Sequence, residues 1–150
     1  MRRAHIIALL VPAALLLGAL VAQHGFGLYP CEMCMWQRWP HVAALILGSL
    51  ALMPEGGGRR ALVWAEILAL AVGGGIGGFH ACVEYGWWTG PTQCSSAPMT
   101  GGDFMTDIMA APLVRCDTAP WSLFGISLAG YNALISTGFA GVAAWLMKRG

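Results

Sequence analysis

The stretch Tyr29-Pro30-Cys31-Glu32-Met33-Cys34-Met35-Trp36-Gln37-Arg38-Trp39-Pro40 places two cysteines, spaced CxxC, at the mouth of an apolar run that continues to Met53. Three further runs resemble it: Ile6 to about Ala22, Ala61 to about Ala81, and Trp121 to Met147. A spanning helix needs roughly 17–25 residues to cross about 30 Å of hydrocarbon. Lipid offers no hydrogen-bond partners, so the backbone of each run must bond within itself as a helix. The sequence therefore predicts an all-α integral membrane protein. It is read as one four-helix bundle over residues 1–150, with spans near 6–22, 35–53, 61–81 and 121–147. A short first outer loop covers about 23–34 and a long second one about 82–120.

Composition agrees. The chain is 57% hydrophobic and 10% charged, with a mean hydropathy of +0.65. Soluble domains average about 25% charged residues, so this charge is too sparse to cover a soluble surface. A net charge of +1 and the lack of a basic run give no footprint for nucleic acid. Arg2 and Arg3 before the first run also suit a signal peptide. The run is long for that purpose, however, and bulky Leu20 stands where cleavage after Ala22 wants a small residue.

Basic residues orient the bundle. Arg2 and Arg3 precede helix 1, Arg59 and Arg60 separate helices 2 and 3, and Lys148 and Arg149 follow helix 4. Four spans put all of these on the cytoplasmic side, together with both termini. The first and second loops then face outward, and four of the five cysteines (Cys31, Cys34, Cys94 and Cys116) lie on that face, where disulfides persist. The second loop carries Pro91, Pro98, Gly101 and Gly102, which mark irregular structure. Within it, the spacing of Phe104, Met105, Ile108 and Met109 suggests a short helix, either on the membrane surface or packed on the bundle.

Cys31 and Cys34 open helix 2 behind Pro30. A helix N-terminus favours the thiolate, which is the form that attacks disulfides. A Cys₄ zinc site from Cys31, Cys34, Cys94 and Cys116 is a competing reading, weakened because the second pair lacks CxxC spacing. A purely structural Cys94–Cys116 staple is another. Cys82, near the outer end of helix 3, reads as a small buried hydrophobe, with an auxiliary thiol as the alternative.

Arg38 lies one turn past Cys34, on the same helix face and just inside the membrane boundary. An intramembrane guanidinium is costly and usually functional, although it can also snorkel to the headgroups. Its five donors suit a thiolate and a quinone carbonyl. Gln37 and His41 are nearby polar groups, and Pro40 frees the carbonyl of Trp36. In helix 3, Gly73/Gly77 and Gly74/Gly78 have GxxxG spacing, which permits close helix packing or a slot for a flat ring. His80 and Glu84 are polar groups able to line such a slot, and His80 reads equally well as a packed, hydrogen-bonded histidine.

Tyr29 to Pro40 resembles the signature of DsbB-type disulfide bond formation proteins. Cys116-Asp117-Thr118-Ala119-Pro120-Trp121-Ser122-Leu123-Phe124-Gly125 resembles the segment joining that family's last cysteine to helix 4. The likeness covers essentially the whole chain. It implies an enzyme of the bacterial inner membrane that reoxidises a periplasmic, thioredoxin-fold partner of the DsbA type and passes the electrons to ubiquinone or menaquinone. The DsbA–DsbB–quinone route is a known means of keeping the periplasm oxidising. By the same resemblance, Cys94 forms the mixed disulfide with the partner, Cys116 exchanges with Cys31, Cys34 faces the quinone, and Arg38, with His80 nearby, holds the ring. Cys82 is not among the family's four working cysteines. Vitamin K epoxide reductase-like proteins share the outline but carry their CxxC late in the chain. A different class, a membrane metal-binding or metal-delivery protein, would use the cysteines with Met99, Met105 and Met109.

Overall fold

The computed structural model describes residues 1–53, 55–91, 95–96 and 113–149. Cys94, Met99 and the expected loop helix around Phe104 to Met109 lie outside the described residues. Four helices make up the bundle: α1 (Arg2–Gly25), α2 (Glu32–Leu50), α3 (Gly56–Glu84) and α4 (Leu128–Arg149). α3 packs most extensively on α4 and α2, and α1 closes the ring against both of those helices. Two short hairpins stand at the end of the bundle that carries the cysteines. β1 (Ser95–Ser96) pairs antiparallel with β2 (Leu113–Val114), and β3 (Ser122–Leu123) with β4 (Ile126–Ser127).

The last hairpin shifts the start of the fourth helix. The apolar run from Trp121 predicts helix, yet α4 begins at Leu128. Phe124 (φ 52°) and Gly125 (φ 77°) both take left-handed backbone, the geometry of a tight two-residue hairpin turn. Ser127 then caps the helix, its Oγ accepting the Gly130 N–H at 3.1 Å. Tyr85, just past α3, pins the turn. Its hydroxyl donates to the Gly125 carbonyl at 2.8 Å and accepts the Ser127 N–H at 3.2 Å. α2, in contrast, runs unbroken through Pro40.

Burial is inverted relative to a soluble domain. Large apolar side chains such as Leu10, Leu17, Trp39, Leu68 and Leu134 face outward. His5, Gln37, His41, Glu66, His80 and Ser136 are buried. Such a surface needs lipid, and polar groups in lipid turn toward the bundle interior. α1 and α3 are each long and apolar enough to cross a membrane.

The glycines of α3 settle how the bundle closes. A β-carbon at Gly73 would stand 2.5 Å from the His41 ring, one at Gly74 would meet Thr137 and Ser136 at 2.8–2.9 Å, and one at Gly77 would meet Asn132 at 2.8 Å. These positions are filled by side chains of α2 and α4. The GxxxG run serves close packing, and the open slot lies elsewhere, against α1. At the opposite end of the bundle from the cysteines, His5 Nδ1 meets Glu66 Oε2 at 3.0 Å, clasping α1 to α3.

Candidate functional site

Cys31 is the N-cap of α2. Its sulfur accepts the Cys34 N–H at 3.2 Å, so the CxxC spacing doubles as a helix cap. The two sulfurs stand 2.8 Å apart as a dithiol. Both belong to the cap and first turn, ahead of the apolar run. They are inequivalent. Cys31 is buried, while Cys34 is partly open. The Cys31 S–H donates to the Cys34 sulfur. That shared proton lowers the Cys34 pKa from its ordinary value, with Arg38 adding to the effect and burial opposing it. The same contact, reinforced by burial, raises Cys31 far above the usual thiol range. Cys34 is therefore the thiolate of the pair, and Cys31 holds the proton.

Cys34 opens on a cavity of about 270 Å³. One wall is α1, with Ala14, Gly18 and Ala19; a β-carbon at Gly18 would meet nothing within 4 Å. Arg38, His41, His80 and Asn132 also line the cavity. Arg38 is partly buried and tied to α1, donating to Gln23 Oε1 at 2.7 Å and to the Ala19 carbonyl at 3.4 Å. A largely apolar cavity with a fixed cation beside a thiolate suits a quinone head group. Small apolar residues would face the ring, and guanidinium N–H groups would face a carbonyl oxygen.

Behind Cys34, the Cys31 sulfur, His80 and Cys116 converge, with their ligand-type atoms all within 4.8 Å of one another. His80 Nε2 is 3.5 Å from the Cys31 sulfur and 3.7 Å from Glu84 Oε1. Of the expected site residues, Cys31, Cys34, Arg38, His80 and Cys116 thus gather at one end of the bundle. Cys82 is partly buried. Arg115, beside Cys116, forks onto Asp117 and holds that exposed carboxyl down at about 2.

Sequence reasoning missed how far the polar interior extends. Asn132 and Ser136 of α4, Gln23 of α1 and the His5–Glu66 pair were not singled out. Polar residues embedded in apolar runs were the available signal.

A family model described as disulfide bond formation protein DsbB matches residues 1–146. The chain belongs to the DsbB family. It is 31% identical over 161 residues to disulfide bond formation protein B of Aromatoleum aromaticum, covering 98% of this chain and 93% of that protein. It is 31% identical to the Verminephrobacter eiseniae protein of the same name, over 89% of this chain and 78% of that one. The Polaromonas protein of that name is 28% identical, over 99% and 91% respectively. No solved structure matches. This DsbB-family chain is a membrane four-helix thiol oxidoreductase that reoxidises DsbA in a quinone-dependent reaction. The metal-delivery alternative gains no support from these relatives.

Proposed function

We propose that this DsbB-family enzyme relays electrons from a periplasmic DsbA-type dithiol through Cys94 and Cys116, then Cys31 and Cys34, to ubiquinone or menaquinone. The observation that carries the reading is the position of Cys34. It is the lower-pKa sulfur of its pair, and it lines the same cavity as Arg38 and His80. Cys116 lies buried beside Cys31, which suits exchange between those two. Cys94 is assigned the mixed disulfide with the partner.

The quinone supplies a two-electron acceptor. The chain's own residues bind and orient it. Arg38 would hold a carbonyl oxygen and stabilises the Cys34 thiolate, while the small residues of α1 would line the ring and exclude water. The partner's two thiol protons balance the two that quinol formation consumes.

The proposed topology places both termini in the cytoplasm and the cysteines in the periplasm, with four spans in the bacterial inner membrane. Support comes from Arg2, Arg3, Arg59, Arg60, Lys148 and Arg149, which lie at the end of the bundle away from the cysteines, whereas Arg38 and Arg115 belong to the cysteine end.

Turnover of reduced DsbA-type protein with ubiquinone and with menaquinone, alongside trapping of mixed disulfides, tests the scheme. Cys94→Ala should block reaction with the partner but spare the Cys31–Cys34 pair. Arg38→Lys keeps the charge but loses the planar fork, and should raise the apparent KM for quinone by about tenfold. Normal partner oxidation by Cys94→Ala would overturn the relay order.

A further inference from the structure

A continuous hydrogen-bonded chain runs from the centre of the bundle to the cysteines, and its polarity can be read from two main-chain carbonyls. Asn132 Nδ2 lies 3.2 Å from the Gly73 carbonyl and 2.8 Å from Gln37 Oε1. A carbonyl only accepts, so the Asn132 amide must present its NH₂ there. Its two hydrogens go to Gly73 and to Gln37. Gln37 in turn has its NH₂ 3.2 Å from the Met33 carbonyl and 2.6 Å from His80 Nδ1. Again the carbonyl fixes the amide, and the second hydrogen falls to His80. Both amides are thereby saturated as donors.

We infer that Gln37 and Asn132 are positioning residues that fix His80 as the Nε2–H tautomer, so that the ring presents a donor to the Cys31 sulfur. Nδ1 is occupied as an acceptor, which leaves the ring proton on Nε2. That nitrogen faces Cys31 Sγ at 3.5 Å and Glu84 Oε1 at 3.7 Å, and the ring also donates to the Cys116 backbone carbonyl. The titratable groups around it are Cys31 and Cys34 from α2, Glu84 from α3, and Cys116 from the loop. His80 is 1% exposed, so water does not compete for the proton.

The consequence for catalysis rests on the relay proposed above. When Cys94 attacks the Cys116–Cys31 disulfide, the Cys94–Cys116 bond forms and the Cys116–Cys31 bond breaks. The electron pair leaves on the Cys31 sulfur. An N–H already aimed at that sulfur stabilises the departing thiolate; the other tautomer would oppose it with a lone pair. Asn132 acts through two intervening groups and touches no reacting atom.

The test uses isosteric changes. Gln37→Glu replaces the donor facing Nδ1 with an acceptor. Asn132→Asp leaves His80 untouched but turns the Gln37 amide around, because its oxygen no longer has a donor. Histidine ¹⁵N spectra of the reduced wild-type protein, assigned with His80→Asn, should show His80 protonated at Nε2. Both variants should move the proton from Nε2 to Nδ1. In reduced full-length protein carrying Cys34→Ala, which removes the neighbouring thiolate that keeps Cys31 protonated, and with neither partner nor quinone present, alkylation of Cys31 followed by peptide mass spectrometry should slow about tenfold when Asn132→Asp is added, with its pH midpoint moved upward. An Nδ1–H tautomer in the wild type, or an unchanged tautomer and pH midpoint in Asn132→Asp, would overturn the inference. These readouts need no electron relay, so an incorrect cysteine order would leave them intact.

Discussion

The His41 imidazole is seated directly on Gly73. A β-carbon at that glycine would stand 2.5 Å from the ring Cε1 and 2.7 Å from Nδ1. The ring is fixed there by the Gln37 carbonyl at 2.6 Å and by Ser136 Oγ at 3.0 Å. α2, α3 and α4 therefore meet at one point, and only glycine fits beneath the ring.

Gly73→Ala should destabilise the protein by about 1–3 kcal/mol, the usual cost of overpacking a filled core. Gly75, in the same run, has nothing within 4 Å of its added β-carbon, so Gly75→Ala should leave stability unchanged or slightly raised. Thermal unfolding of the two variants in the same detergent checks this. Equal behaviour would mean that the glycine run is not a packing surface.

The 2.8 Å contact between the Cys31 and Cys34 sulfurs makes a prediction about pH. Cys34 has a lowered pKa, chiefly because Cys31 donates its proton. A thiol titrates to the reactive thiolate as pH rises through its pKa. Below the ordinary thiol value, reduced wild-type protein should therefore still be alkylated at Cys34. Cys31→Ala removes the donor, so the alkylation profile of Cys34 should move to higher pH and its rate at neutral pH should fall. Rate against pH with a small alkylating agent, read by peptide mass, is the measurement.

At the far end of the bundle, Glu66 is fully buried and His5 is 4% exposed. Glu66 Oε1 and His5 Nε2 lack hydrogen-bond partners among the described residues. Removing one member strands the other. Glu66→Leu alone should cost about 3–5 kcal/mol, while the double change His5→Leu with Glu66→Leu should recover most of it. Thermal unfolding of the two single variants and the double variant tests this as a cycle.

Much of this protein was legible from its residues. The apolar runs announced the helices, because lipid demands both length and internal hydrogen bonding. The CxxC with Arg38 one turn later pointed to the candidate site, because helix geometry places both on one face. The start of α4 was not legible. Trp121 to Ile126 is as apolar as a span, and only the left-handed pair Phe124 and Gly125 diverts it into a hairpin. The glycine run could not reveal its own occupants, since His41, Ser136 and Asn132 come from other helices. The cavity wall on α1 was equally hidden: Ala14, Gly18 and Ala19 read simply as lipid-compatible residues until α2 lies beside them.

Cys34, beside Arg38 in the α1-walled cavity, is the sulfur proposed to deliver electrons to quinone. The most direct measurement is quinone reduction by Cys34→Ser protein in lipid vesicles, supplied with reduced DsbA-type protein and either ubiquinone or menaquinone. No quinol should form from an inserted, folded protein, and the relay should halt upstream as a trapped mixed disulfide. Sustained quinol production by that variant would contradict that role.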